Sequence, residues 1–145
     1  MKKIETRDFG EIEVEESALF DFPNGVYAFE EEKSFALLNP LGAGIYPMWL
    51  QSVNNSSLCF IVFDPELIDE GFTVVLNESE KKLLDIKDDS EIRCLVIAKV
   101  PENYKETTVN MKSPIIINTR NNRAIQVILP MEYPFRLPIY SEEVV

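Results

Sequence analysis

The side chains able to do chemistry in this sequence are carboxylates and little else. Its 145 residues hold 25 aspartates and glutamates, 14 lysines and arginines, two cysteines and no histidine. Without histidine, a Ser/His/Asp or Cys/His nucleophile system and a His-bearing zinc site are excluded. Cys59 and Cys94 cannot complete an all-thiolate zinc site or hold an iron–sulfur cluster unaided. Both fall in apolar segments and read as buried free thiols; a disulfide between them would need an oxidising compartment. Paired carboxylates can hydrolyse glycosides, so the acids need inspection. They sit as Glu11/Glu13/Glu15, Glu30-Glu31-Glu32, Asp69-Glu70 and Asp88-Asp89, on alternating or loop positions that read as solvated surface. Five scattered glycines form no phosphate-cradling loop, and Asp85-Ile86-Lys87-Asp88-Asp89 does not match a calcium ladder. The expectation is no catalytic residue, no cofactor and no metal.

Charge says more than any motif. The formal net charge is −11, which repels phosphate backbones and argues against direct nucleic-acid binding. Residues 1–99 carry 20 acids and 9 bases, whereas residues 100–145 carry 5 of each. The whole excess therefore lies in the first two thirds. Between Lys105 and Tyr140 the bases lead by 5 to 2, with Arg120, Arg123 and Arg136 among them. A body with an acidic side and a neutral-to-basic side suits oriented, field-steered protein association. Met1-Lys2-Lys3-Ile4-Glu5 opens with charge, and no signal-type apolar stretch follows. The longest apolar run, Leu58 to Phe63, is six residues, far short of a membrane span. The sequence reads as cytoplasmic.

The elements that must position these groups are mostly strands. Ile4–Arg7 and Glu11–Val14 predict a hairpin turned at Gly10. In its second arm Ile12 and Val14 alternate with glutamates, one face apolar and one solvated. Further strands are predicted at Ala18–Phe22, Ser34–Leu38, Met48–Val53, Leu58–Phe63, Phe72–Leu76, Glu91–Val100, Thr107–Lys112, Ile115–Asn118 and Ala124–Leu129. Glu91–Val100 is apolar on both faces, which marks a central strand. One helix is predicted, Glu78 to about Ile86, with Asn77 as cap and Glu80 completing a capping box. Without βαβ alternation, this pattern predicts one all-β domain over residues 1–145, an antiparallel barrel-like fold with one short helix.

The end of the chain is different. Pro130, Pro134 and Pro138 recur every four residues, which forbids helix and strips donors from any inner strand. The Pro-rich segment 130–145 is thus extended. It either packs along the barrel or offers Met131, Tyr133, Phe135, Leu137 and Ile139 as a ledge for a partner.

Read in order, these motifs resemble the FliW family of flagellar assembly factors. Ile4-Glu5-Thr6 with Phe9-Gly10-Glu11-Ile12-Glu13-Val14 resembles the family's first hairpin. Phe22-Pro23-Asn24-Gly25-Val26 with Phe29-Glu30 resembles its second motif, except that Ala28 stands where the family usually has glycine. Trp49–Val53, Phe60–Pro65, Pro114–Asn118 and Gln126–Leu129 follow in matching order, and Tyr133, Arg136 and Pro138 resemble its ending. The resemblance implies a non-enzymatic β-barrel protein with two alternative protein partners, flagellin and the RNA-binding translational repressor CsrA. In that switch, flagellin holds the protein until export frees it to bind CsrA and relieve repression of flagellin synthesis. Aromatic residues and arginine commonly anchor interfaces. The candidate contact residues are therefore Phe29, Tyr133, Phe135 and Arg136, with the Glu30, Glu31 and Glu32 cluster. Phe22, Pro23 and Gly25 read as turn-forming and Trp49 as core. Two other readings compete: a carboxylate-dependent hydrolase and an acidic mimic of nucleic acid.

Overall fold

Period-2 alternation of apolar and polar residues becomes a ladder of short strands wrapped around a set of aromatic and branched side chains. The computed structural model describes residues 1–140. The last five residues of the Pro-rich segment, 141–145, lie outside the described residues. The strands are β1 (Lys2–Thr6), β2 (Gly10–Val14), β3 (Leu19–Asp21), β4 (Ser34–Leu38), β5 (Met48–Ser52) and β6 (Cys59–Phe63). After the helix α1 (Glu78–Leu84) come β7 (Ile92–Lys99), β8 (Thr108–Val109), β9 (Ile115–Asn118), β10 (Arg123–Gln126) and β11 (Leu137–Pro138).

Seven strands close on themselves in the order β3-β4-β5-β6-β7-β9-β10. Six of the seven joints are antiparallel; the seventh, β10 to β3, is parallel and rests on one rung, Arg123 opposite Asp21. There the Asp21 amide donates to the Asn122 carbonyl at 2.9 Å. Closure removes the open edges that a flat sheet would present. Phe20, Phe22, Phe35, Leu50, Val62, Leu95, Ile115 and Ile117 fill the interior. The alternate residues face outward and are covered as well. Ile4 and Val14 of the β1–β2 hairpin pack on Ala36 and Leu38 of β4. On the other side, residues of the 68–86 segment and of the proline-rich tail cover Val96, Ile116 and Ile125. β7 is central as expected, pairing with β6 on one side and with β8 and β9 on the other.

Three expectations change. Phe72–Leu76 alternates like a strand but forms none, because among the described residues no strand pairs with it. The helix stops at Leu84 because Asp85 turns into the left-handed region at φ 55°, with its amide donating to the carbonyls of Lys81 and Lys82. Its start is as predicted: Asn77 and Glu80 exchange both bonds of a capping box. Trp49 is not in the barrel interior. It is half-buried between barrel and hairpin, edge-on to Phe9 with ring centroids 5.6 Å apart, its indole N–H donating to Asp8 at 3.0 Å.

Gln51 completes that attachment. Its buried Oε1 accepts from the Arg7 amide at 2.9 Å, while its Nε2 donates to carbonyls of the β5–β6 turn, among them Ser56 and Leu58. Arg7 adds a bond to the Cys59 carbonyl at 2.9 Å. One glutamine thus joins two hairpins.

Candidate protein-binding surface

The excursion from β3 to β4 closes one mouth of the barrel. Phe22 and Val26 drop into the interior, and the chain reverses in a tight turn in which Val26 pairs with Phe29. Gly25 has φ +66°, and a Cβ there would meet the Glu30 backbone at 2.6 Å; glycine is required by conformation and by space. Ala28 occupies the turn at φ 73°, a left-handed conformation that glycine tolerates better. The turn is pinned to the barrel by Gln126, whose Oε1 accepts from the Tyr27 amide at 2.9 Å.

This turn presents the first group of candidate residues. Phe29 is 39% exposed and sits edge-on to Phe60, centroids 5.7 Å apart. Glu31 is exposed. Glu30 and Glu32 have local work: Glu30 accepts from the Ala28 amide at 3.3 Å, and half-buried Glu32 accepts from the Ser52 hydroxyl at 2.9 Å. Tyr27, absent from the sequence-based set, is half exposed beside them. Its place before the turn residue Ala28 was the available signal.

The second group divides. Tyr133 turns inward: its ring lies 4.8 Å from Phe72 and its hydroxyl accepts from the Thr73 amide at 3.0 Å. Met131, Leu137 and Ile139 pack into the same layer, so this part of the proline-rich segment lies along the barrel. Phe135 and Arg136 face out. Phe135 is 58% exposed, and the two line a shallow groove of about 170 Å³ with Ile97, Lys99, Thr108 and Asn110. The strand register links the groups. Continuing the register past Ile61–Ala98 puts Phe60, which Phe29 touches, toward the Lys99 end of β7 that lines the Phe135 groove, so the two groups lie toward the same end of the barrel.

The bases of the last third do not gather there. Arg120 and Arg123 lie at the opposite mouth, on the turn from β9 to β10. Arg120 bonds Asp85 at 3.0 Å and Glu91 at 2.6 Å, which holds the Asp85 carboxyl below its usual range. Arg123 donates to the Leu83 carbonyl. The expected neutral-to-basic side is therefore split, because the β9–β10 turn spends its arginines on the end of α1. The acids of the second hairpin arm are not drawn into such bonds among the described residues: Glu11 and Glu13 on β2, and Glu15 just after it, are exposed. Beside them an apolar cleft of about 470 Å³ runs between the hairpin and Leu37–Pro40.

Both thiols are free, Cys59 buried and Cys94 half-buried. Burial pushes the Cys59 thiol up to about 11 and raises Cys94 as well, the opposite of an activated nucleophile. Among the described residues, no cluster of three or more cysteines and carboxylates could hold a metal ion, and no helix is long and apolar enough to cross a membrane.

The architecture defines a class: an all-β, seven-stranded closed barrel with covered outer faces and, among the described residues, one short α-helix. Comparison with known proteins gives that class its family. The FliW protein family model matches residues 3–139. The flagellar assembly factor FliW of Caldanaerobacter subterraneus subsp. tengcongensis is 34% identical over 97% of this chain and 94% of its own length. That of Syntrophomonas wolfei is 35% identical over 96% of this chain and 89% of its own. A crystal structure of the flagellar assembly factor FliW superposes with a TM-score of 0.89 at 31% identity, covering 99% of this chain and 100% of that one. The chain belongs to the FliW family.

Proposed function

We propose that this chain is a flagellar assembly factor that acts by binding, not catalysis, in the cytoplasm. It holds flagellin, and when released from flagellin it binds CsrA and relieves repression of flagellin translation. The observation that carries the reading is the full-length family match together with the barrel mouth just described. That end of the barrel carries two exposed aromatics, Phe29 next to Glu31 in the turn and Phe135 in the groove with Lys99 and Arg136. Buried aromatics and arginine supply most interface energy, and mixed charge at the rim orients the partner.

The test is titration of the chain with purified flagellin and with purified CsrA from one flagellated bacterium. Calorimetry is expected to give a stoichiometric complex with each. Phe135→Ala or Phe29→Ala is expected to weaken at least one of them by about tenfold or more. Excess flagellin is expected to displace CsrA. Failure to bind either partner overturns the reading. Loss of CsrA binding on adding its RNA target, with one shared site, would instead support the nucleic-acid mimic.

A further inference from the structure

Phe72–Leu76 has a strand's residue pattern and, among the described residues, no strand to pair with. Phe72, Val74 and Leu76 pack on the second outer layer, while Thr73 and Val75 are exposed. Among the described residues, no backbone–backbone hydrogen bond involves residues 73–76. Unpaired strand-like backbone is a template for another chain.

Across from it is a second open edge. β6 pairs with β7 only at Val96, Ile97 and Ala98. The next bonded rung would set Cys94 opposite Pro65, which has no N–H to give. Thr119 donates to the Glu91 carbonyl at 2.8 Å and Asn110 to that of Ile97 at 2.9 Å, so odd-numbered residues of β7 direct their backbone groups to β8 and β9. By the alternation of an antiparallel ladder, Ile92 and Cys94 direct theirs the other way. The Ile92 amide is taken by the Asp89 carbonyl. The Ile92 carbonyl and both Cys94 groups have no backbone partner among the described residues. Between the two edges lies a cleft of about 640 Å³, walled by Phe72–Leu76 and by Ile92–Cys94. Its charged rim is Asp64, Glu66 and Asp89 against Lys81; Arg93, also there, is engaged with the Tyr46 hydroxyl at 3.0 Å.

We infer that this cleft accepts an extended segment of a partner protein as an added strand, hydrogen-bonded to β7 at Cys94 and to the 74–76 backbone. The Thr73 amide is held by the Tyr133 hydroxyl at 3.0 Å; the Ile92 carbonyl and the Cys94 groups, across the cleft from the 74–76 backbone, call for a peptide backbone. The alternating apolar walls call for β-branched residues at every second position, and the acidic excess of the rim calls for a lysine or arginine beside Asp64 and Glu66. The site is separate from the barrel mouth that carries Phe29 and Phe135, and the inference does not depend on which partners bind there.

The probe is a synthetic octapeptide of alternating valine and threonine with lysine at both ends, titrated into isotope-labelled protein. The amides of Cys94 and Val75 are expected to shift and to gain protection from hydrogen exchange. N-methylation of alternate peptide residues, which deletes backbone donors but keeps the side chains, is expected to weaken binding about tenfold or more. The double variant Asp64→Asn with Glu66→Gln is expected to weaken the lysine peptide and leave a glutamine-ended peptide unchanged. Equal binding of plain and methylated peptides overturns the inference, as do shifts confined to another surface or no binding at millimolar peptide. Concentration-dependent dimers of this chain that protect the same amides would assign the cleft to a second copy and overturn it too.

Discussion

At the scale of single residues, the turn over the barrel mouth is governed by backbone conformation. Gly25 and Ala28 both have positive φ, but only at Gly25 does a side chain meet backbone, at 2.6 Å. Gly25→Ala is therefore expected to destabilise by at least about 2 kcal/mol, since strain and collision act together. Ala28→Gly is expected to do the reverse. The left-handed conformation costs an L-residue roughly 1–2 kcal/mol, and the added freedom of glycine in the unfolded chain returns part of that. A net gain of about 0.5–1 kcal/mol follows, read as a higher midpoint in urea for the variant. A lower midpoint would show that the turn relaxes around alanine. The contrast between these two positions was half legible in the sequence. The asparagine–glycine turn announced itself, whereas Ala28 was suspect only because the FliW pattern has glycine there.

Between elements, the determining contacts are buried amides. Asn118 is fully buried; its Nδ2 donates to the Leu84 carbonyl at 2.8 Å and its Oδ1 accepts from the Arg120 amide at 2.9 Å. With Asn121 and Arg120 it satisfies the last carbonyls of α1, which a seven-residue helix cannot do internally. Asn118→Ala is expected to cost about 1–3 kcal/mol through unpaired carbonyls and to speed amide exchange in α1 before the barrel strands. Acid acts on the same joint. The Arg120 bond depresses the Asp85 carboxyl, so its contribution is present above the unfolded value and lost as pH falls through the folded one, below about 3.9. Arg120→Gln is expected to flatten the fall in melting temperature between about pH 5 and pH 3; an unchanged slope would show that the pair is too solvated to matter. Strand positions were readable because alternation is local. What was not readable is what alternation pairs with. Phe72–Leu76 carries the pattern without a partner, and one rung at Arg123–Asp21 closes the barrel with no side-chain signature. Tyr133 looked available in the sequence because the ring that covers it, Phe72, lies far earlier in the chain.

For the molecule as a whole, the question is what its net charge of −11 does once a partner is bound. Many of its acids have structural partners: Asp8 bonds Arg7, Asp85 and Glu91 bond Arg120, and Glu32 bonds Ser52. Among the described residues, Glu11, Glu13 and Glu15 have no such partner in a side-chain bond; they stand exposed on β2 and just after it. That makes them free to act at a distance. Docked on a basic RNA-binding protein such as CsrA, this face would repel the approaching phosphates without filling the RNA groove. Replacing all three by glutamine leaves the hairpin's buried face, Ile4 and Val14, intact, so folding and docking are expected to persist. Displacement of RNA from the complex is expected to weaken several-fold while the affinity for CsrA changes little. The same field predicts a salt dependence. Raising ionic strength from about 0.1 M to 1 M shortens the screening length from about 10 Å to 3 Å. The difference between parent and triple variant should therefore shrink as salt is added, in an assay that follows labelled RNA by anisotropy at each salt concentration. If the variant releases RNA as well as the parent at low salt, repulsion is not the mechanism, and these three glutamates serve solubility alone.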